Sequence, residues 1–259
     1  LERAFREWVS TMASLTKGEV VAIDGKTLRR SFRKAGSGAF VHMVSAWAAG
    51  NRMVLGQVKT EEKSNEITAI PRLLELLEIQ GCLVTIDAMG CQKEIAEKIL
   101  ESKADYMLAV KDNQPTLAAA VEAIFDTALA DPEFATSCHQ TEDKGHGRIE
   151  IRRCWTLDVD GECGSPFDQW TGLGSIVCVE SERTVTTNTN TSLERRYYIT
   201  SRAGFTPQEA LAASRSHWGI ENQLHWVLDI AFREDDCRVR AGNAAENFAV
   251  LRHFALNLI

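Results

Sequence analysis

The chain has 259 residues, a formal net charge of −7, and the apolar and charged fractions of an ordinary globular protein. This length fits one large α/β domain or two modest ones. The acidic balance excludes a polycationic nucleic-acid binder, so any DNA binding must come from local basic patches. No apolar run reaches the roughly 18 residues that a membrane span needs, and no signal-peptide pattern opens the chain.

The cysteines predict the redox compartment of the protein, and the first residues suggest that a region precedes them. The chain contains seven cysteines, an odd number, and no pair has the CxxC spacing of a zinc site or redox motif. We therefore expect buried thiols in a reducing cytoplasm. The chain starts at Leu1 within a helix-like stretch. Residues 1–17 are accordingly interpreted as the end of an N-terminal region that is absent from this sequence.

Residues 18–130 alternate between strand and helix patterns. Three strand-like runs come first, with a turn signal at Gly50-Asn51 that predicts a hairpin between the second and third. Helix, strand, helix, strand and helix patterns follow. The predicted order β-β-β-α-β-α-β-α implies a mixed sheet with helices on both faces.

The second half of the chain divides into two further segments. Residues 131–205 are rich in glycine and proline between strand-like runs, which predicts a β-rich insertion. Residues 206–259 return to helix patterns, the first starting at Thr206-Pro207 and running to about Phe232. This segment is expected to complete the core.

Two aspartates share one sequence context. Asp24 and Asp87 each end a run of apolar and β-branched residues, and a small residue follows each. The carboxyl ends of strands in open α/β sheets are where ligand sites form. Two carboxylates brought together there repel each other unless a cation lies between them, and hard oxygen ligands favour Mg²⁺ or Mn²⁺. Either aspartate alone is more simply explained as a surface turn or a helix cap.

A third acid lies on the long helix predicted after residue 206. At about 100° per residue, an apolar stripe is formed by Ala213, Ile220, Leu224, Val227 and Ala231. Glu221 lies about a quarter-turn from that stripe. On the helix wheel, Ser214, His217 and His225 lie within about 40° of Glu221. A solvated helix face explains this polar column most simply, and a functional face next to the core is the alternative.

Six separated motifs in this order resemble bacterial insertion-sequence transposases of the H-repeat-associated type, which are DDE transposases. They include "VVAIDGKTLRRS", "VTIDAMGCQKEIAEKI", "YMLAVKDNQPTL", "KGHGRIEIRRC" and "RYYITS", and end with the segment from "HWGIENQLHWVLDIAF" onward. The resemblance implies a ribonuclease-H-like mixed five-stranded sheet with helices on both faces. It further implies that Asp24, Asp87 and Glu221 are the catalytic acids. In this family a β-rich insertion before the glutamate helix is typical.

The chemistry implied by three converging carboxylates is two-metal phosphodiester cleavage and transesterification. Two Mg²⁺ or Mn²⁺ ions held roughly 3.5–4 Å apart would activate water or a DNA 3′-hydroxyl and stabilise the leaving oxygen. The expected partner is double-stranded DNA, both element ends and target, with no nucleotide cofactor and no membrane. A DNA-dependent homo-oligomer is expected from the family alone.

Cations that would meet DNA phosphates cluster in three places. Such contacts are blind to sequence and strongly dependent on salt. A solvated basic loop explains any one of them about as well. The candidates are Lys26, Arg29, Arg30, Arg33 and Lys34 after the first strand; Lys111, His146 and Arg148 further on; and Arg215, His217, His225, Arg238 and Arg240 around the glutamate helix.

One departure from the family pattern concerns the glutamate helix, and two other functions remain open. Many relatives carry Tyr, Arg and Lys where this chain has Ser214, His217 and Leu228.

A ribonuclease-H-like nuclease without strand transfer would use the same three acids. A degenerate transposase remnant that only binds DNA is the non-enzymatic alternative, and the presence of all three acids argues against it.

Overall fold

The computed structural model describes residues 1–29, 40–60, 66–145, 147–159, 163–187, 190–239 and 241–259. The chain forms two compact units. Unit 1 comprises Leu1–Asp105 and Arg215–Ile259, and unit 2 comprises Tyr106–Ser214. The predicted boundaries near residues 130 and 205 stay a prediction.

Unit 1 combines four strands with helices from both ends of the chain. Its strands are β1 (Val20–Leu28), β2 (Val41–Ala48), β3 (Met53–Lys59) and β4 (Leu83–Ile86). Its helices are α1 (Glu2–Met12), α2 (Glu66–Leu74) and α3 (Lys93–Glu101), then α7 (Trp226–Ile230) and α8 (Ala244–Asn257).

The strands of unit 1 lie in the order β3-β2-β1-β4. β1 pairs antiparallel with β2 and parallel with β4, and Ile23 lies opposite Ile86. Val21, Ala22 and Ile23 are fully buried, because both faces of β1 are covered. Such a strand reads as a continuous apolar run, as the sequence does here.

The two terminal helices of unit 1 pack through aromatic rings and an amide clamp. Phe5 on α1 meets Phe254 on α8 edge to face, with ring centroids 4.8 Å apart. The side chain of Asn257 both accepts from Val54 N–H and donates to Val54 C=O, each at 2.9 Å. These contacts attach α8 to the β3 edge of the sheet.

Unit 2 is built on five strands in the order β5-β9-β8-β7-β6, all paired antiparallel. They are β5 (Asp105–Val110), β6 (His139–Gly145), β7 (Arg148–Asp158), β8 (Ser175–Val185) and β9 (Thr191–Thr200). The helices α4 (Pro115–Leu129) and α5 (Pro132–Thr136) lie between β5 and β6. The strands β6 to β9 lie within residues 131–205, where strand-like runs were predicted, and the prediction that these residues form an insertion stays a prediction.

The helix predicted from residue 206 is not regular. It consists of α6 (Pro207–Gly219), which spans the boundary between the units, a π-helical segment Ile220–His225, and then α7. The Trp226 N–H donates to the carbonyl of Glu221, five residues back instead of four. Each π turn therefore contains one more residue than an α turn.

The order β-β-β-α-β-α-β-α is confirmed, as is the mixed α/β class. The five-stranded detail is not confirmed, since nine strands are described along the chain. Among the described residues, which include all seven cysteines, no disulfide is formed, and Cys163 is exposed against the expectation of burial. Within the same residues no helix is long and apolar enough to cross a membrane.

Candidate catalytic and metal site

Asp24 and Asp87 each come directly after one residue of a paired position in the β1–β4 register of unit 1. The parallel register of β1 and β4 sets Ile23 opposite Ile86, and each aspartate is the next residue. Asp24 lies within β1 and is still paired with β2, whereas Asp87 comes directly after the end of β4. The two acids thus follow paired residues of neighbouring strands, but β1 continues past Asp24 to Leu28, so the prediction that this strand ends at Asp24 is wrong. Their shared role at a site stays a prediction.

Glu221 and His225 join Asp24 from the π-helical segment. His225 Nδ1 lies 3.4 Å from Asp24 Oδ2 and 3.6 Å from Glu221 Oε2. One ligand atom from each of the three residues lies within 4.8 Å of the others. The side chain of Glu221 is half exposed, while that of His225 is buried. This cluster offers two carboxylates and one imidazole to a cation.

The π turns decide which side chains of this helix are buried. With one extra residue inserted, the apolar stripe continues from Leu224 to Leu228, which is 2 % exposed. Val227 is only half-buried and Ala231 is exposed, so the predicted stripe is wrong beyond Leu224. The same shift buries His225, which was predicted on the polar face. π-helical segments within α-helices occur frequently at functional sites.

Asp87 does not belong to the close cluster. Its Oδ1 accepts the backbone N–H groups of Met89 and Gly90, at 3.1 and 3.3 Å, and caps the short 3₁₀ turn Ala88–Gly90. Such a cap is the simple structural role that the sequence left open for this residue. Asp87 therefore adjoins Asp24 through the sheet register while its carboxylate is held by the turn.

Electrostatics distinguish this site from a solvated acidic surface. Burial, followed by the neighbouring Glu221, raises the pKa of Asp24. Burial also raises the pKa of Asp87, and the two backbone N–H donors oppose that rise. The pKa of His225 is lowered, chiefly by burial, with Glu221 opposing. Negative charge gathered in a poorly solvated place is stabilised by a cation, and carboxylate oxygens are the donors that Mg²⁺ and Mn²⁺ prefer. The residues present fit such an ion.

Lys26 has a different position from the one predicted. Its Nζ lies 2.6 Å from Asp229 Oδ1, 3.3 Å from Glu234 Oε2 and 3.4 Å from Asp235 Oδ1, and its side chain is 11 % exposed. The predicted phosphate contact conflicts with this arrangement, because the ammonium is turned inward and neutralised by the protein's own acids. Arg29, which is paired with Asp235, keeps an 80 % exposed side chain.

The remaining cations predicted to contact DNA differ in exposure. His217 is half-buried, with Nδ1 3.0 Å from Thr85 Oγ1 on β4, and His225 is buried in the cluster. Neither imidazole presents an open cationic surface. Four residues are exposed: Arg215 and Arg238 in unit 1, and Lys111 and Arg148 in unit 2. Arg30, Arg33, Lys34, His146 and Arg240 lie outside the described residues.

Sequence reasoning missed one acid near the site, Glu66 at the start of α2. Glu66 raises the pKa of both Asp24 and Asp87 and accepts a hydrogen bond from His42. A signal for it was present, since Gly25 directly after Asp24 indicates a close approach to the backbone of β1. Nothing in the sequence alone identifies what approaches.

Known proteins match this chain over nearly its whole length. A family model described as the transposase DDE domain matches residues 15–258. The H repeat-associated putative transposase YhhI of Escherichia coli strain K12 is 43 % identical over 258 residues, covering 98 % of this chain and 68 % of that protein. The putative transposase YncI of Escherichia coli O157:H7 is 45 % identical over 260 residues, covering 100 % of this chain and 66 % of that protein. The chain thus spans about two thirds of the length of these relatives.

A solved structure is similar in fold. The piggyBac transposase in a cryo-EM structure of a synaptic complex with hairpin DNA superposes with a TM-score of 0.50 at 12 % sequence identity. The match covers 93 % of this chain and 46 % of that one. At this identity the likeness concerns the fold.

Proposed function

Because the chain belongs to the DDE transposase family, we propose that it cleaves DNA at the ends of an insertion sequence and joins them to target DNA. The catalytic acids in this proposal are Asp24, Asp87 and Glu221, on a ribonuclease-H-like core. The observation that carries it is the convergence of Asp24 and Glu221, from opposite ends of the chain, within one cluster.

The acids have separate positions and roles. Asp24 lies on β1, and its carboxylate is 3.4 Å from His225 Nδ1 on the glutamate helix. The preceding residue, Ile23, is paired with Ile86 on β4. Asp87 is held rigidly by two backbone N–H donors. Glu221 is the most exposed of the three and is therefore the one best able to move toward a bound phosphate or ion. Together they would hold two divalent ions, Mg²⁺ or Mn²⁺.

The ions, when bound, would activate the attacking oxygen and neutralise charge on the scissile phosphate. The protein's own part is to hold the acids in place. Two of the three are anchored by strands, and the third by a helix whose buried face includes Ile220, Leu224 and Leu228. The buried imidazole of His225, with Nδ1 3.4 Å from Asp24 Oδ2 and 3.6 Å from Glu221 Oε2, would restrict the movement of both carboxylates by contact.

Exposed cations would bind the DNA backbone. From the described residues we retain Arg29, Arg215 and Arg238 in unit 1, and Lys111 and Arg148 in unit 2, and we omit Lys26, whose charge is neutralised internally. Such phosphate contacts set register without reading sequence. As part of the same proposal, the protein acts in the cytoplasm as a DNA-dependent homo-oligomer.

Metal binding tests the site directly. It does not depend on the additional segments that the relatives have and this chain does not span. Mn²⁺ titration by calorimetry should show binding to the unmodified chain and strong loss of it in Asp24→Asn and Glu221→Gln. Asp112→Asn, a change at an exposed aspartate in unit 2, is the matched control and should bind normally. Normal Mn²⁺ binding by both site variants would contradict the proposed metal site.

A DNA assay separates transposition from simple cleavage. The chain is given duplexes carrying element ends, either intact or pre-cleaved, with Mg²⁺ or Mn²⁺ and a target duplex. A transposase yields joined products from the pre-cleaved ends. Cleavage without joining would support the nuclease alternative instead.

A further inference from the structure

A row of polar side chains crosses the sheet of unit 1, starting at Asp24. Asp24 lies opposite Ser45 on β2, and Ser45 lies opposite Gln57 on β3. Residues directly opposite each other in neighbouring strands share one face of a sheet. Ser45 is 3 % exposed and Gln57 is fully buried. A glutamine amide in such a place needs hydrogen-bonding partners, because burying it without them is unfavourable.

Two histidines from the C-terminal helices of unit 1 lie next to this row. A small cavity of about 10 Å³ is lined by Ser45 and Gln57 of the sheet, by His225 of the π-helical segment and by His253 of α8. Both imidazoles are buried, and His253 is only 2 % exposed. The volume corresponds to about one water molecule. The four side chains therefore share a space that one very small molecule fits.

The polar atoms around this cavity have no partners in the protein. Gln57 Nε2 and Oε1, His225 Nε2 and His253 Nδ1 are buried and make no hydrogen bond among the described residues. Eight buried side-chain atoms of that part of the chain are unpaired in this way, and these four belong to residues that line one cavity. Unpaired buried polar groups are costly, so their concentration in one place indicates a shared partner.

A water molecule matches this set of atoms. It can accept a hydrogen bond from the Gln57 amide nitrogen and donate one to the amide oxygen. Its remaining donor and acceptor fit the two imidazole nitrogens, each of which donates or accepts according to its tautomer. Buried waters typically make about three such bonds, and here four polar atoms are offered.

We propose that one ordered water occupies this cavity and binds Gln57, His225 and His253, so that Gln57 and His253 act as positioning residues for the acid site. The link is His225, whose Nδ1 lies 3.4 Å from Asp24 Oδ2 and 3.6 Å from Glu221 Oε2. A hydrogen bond at Nε2 fixes the ring from the other side and keeps it against both carboxylates. The water site stands by itself, whereas the positioning role rests on the proposed function, since it assumes that these carboxylates bind metal.

The water is tested by nuclear magnetic resonance on the metal-free chain. The side-chain amide protons of Gln57, assigned by their loss in Gln57→Met, should show a nuclear Overhauser effect to water with the sign of a long-lived bound molecule. The exposed Gln80 is the control and should show only the short-lived contacts of surface water. The Gln57 signal should persist in Ser45→Ala, which excludes transfer through that hydroxyl. Absence of the effect at Gln57 would refute the water site.

The positioning role is tested by two replacements of His253 that serve as each other's control. His253→Asn keeps a polar atom near the place of Nδ1, whereas His253→Leu fills the space with apolar atoms. We expect the leucine variant to bind Mn²⁺ roughly 10-fold more weakly than the unmodified chain, and the asparagine variant to lose much less. In chelator the order of melting temperatures should be the reverse, because leucine fits a buried site better than an amide. Metal affinity that simply follows stability would show a structural role and count against the inference.

The outcomes distinguish this inference from the proposed function. If both His253 variants bind Mn²⁺ as tightly as the unmodified chain while Asp24→Asn does not, the positioning role is refuted and the acid site stands. If Asp24→Asn also binds normally, the proposed metal site fails, and the positioning role fails with it. The water signal at Gln57 decides the water site in either case.

Discussion

The Nζ atom of Lys26 lies 2.6 Å from Oδ1 of Asp229. This pair joins β1, two residues past Asp24, to α7 just after the π-helical segment. Glu234 and Asp235 complete the acidic surround of the ammonium. The lysine is therefore a structural connection between the two segments that carry Asp24 and Glu221.

Removing this lysine should destabilise the fold. In Lys26→Met three acids lose their shared cation in a mostly buried place, and we expect the free energy of unfolding to fall by roughly 3–5 kcal/mol. Arg29→Met, at a largely exposed partner of Asp235, should change it by less than about 1 kcal/mol. Denaturant unfolding measures both. Equal, small effects would show that the buried connection contributes nothing.

The π-helical segment predicts an unusual order of core sensitivities. Leu228→Ala should cost roughly 2–5 kcal/mol, because its side chain is buried. Val227→Ala should cost about 1 kcal/mol or less, because Val227 is half-buried. Thermal or denaturant unfolding decides between them. A regular α-helix through Glu221 would give the opposite order.

The space at Gly25 predicts strong intolerance to a single methyl group. Gly25→Ala would push against Glu66 and His42, and we expect a loss of roughly 1–3 kcal/mol in stability. Gly145→Ala is the control, since a Cβ there meets nothing within 4 Å, and it should change stability by less than about 0.5 kcal/mol. Circular dichroism melting of both variants is sufficient. Equal melting temperatures would mean that the glutamate can move aside at little cost.

The raised pKa of Asp24 predicts that this acid opposes folding when no metal is present. Between its ordinary pKa and its raised pKa the folded state holds a proton that the unfolded state has released, so stability falls as pH rises through that range. In chelator, Asp24→Asn should therefore be more stable than the unmodified chain at alkaline pH, by at least about 1 kcal/mol. The gain should vanish near pH 4, roughly the ordinary pKa of an aspartate. Unfolding at both pH values checks this, and a variant that is less stable at alkaline pH would contradict it.

His253 predicts an acid sensitivity with the opposite sign. Full burial lowers its pKa to about 3, and its Nδ1 has no hydrogen bond among the described residues. Below the ordinary histidine pKa the unfolded state takes up a proton that the folded state refuses, so stability is lost as pH falls toward the lowered value. Between about pH 5.5 and 4, the unmodified chain should lose roughly 1.4 kcal/mol per pH unit more than His253→Leu. Parallel slopes for the two proteins would show that His253 does not titrate differently on unfolding.

The sequence alone was sufficient for features that depend on local patterns. Apolar runs before Asp24 and Asp87 predicted two buried strands, and these strands pair in parallel at Ile23 and Ile86. The position of Glu221 on a helix could also be predicted, because Ala213, Ile220 and Leu224 recur at helical spacing, and all three are buried. Strand and helix patterns repeat within a few residues, so they can be read without knowledge of distant contacts.

The tertiary structure decided what depends on packing between distant segments. The π turns change the phase of the glutamate helix and bury His225 beside Asp24, which no 100° wheel can reveal. The inward turn of Lys26 depends on acids near the other end of the chain, and the approach of Glu66 to Gly25 depends on how α2 meets β1. A sequence pattern records which side chains are apolar or charged. The partner that satisfies each charge is decided only when the chain brings remote residues together.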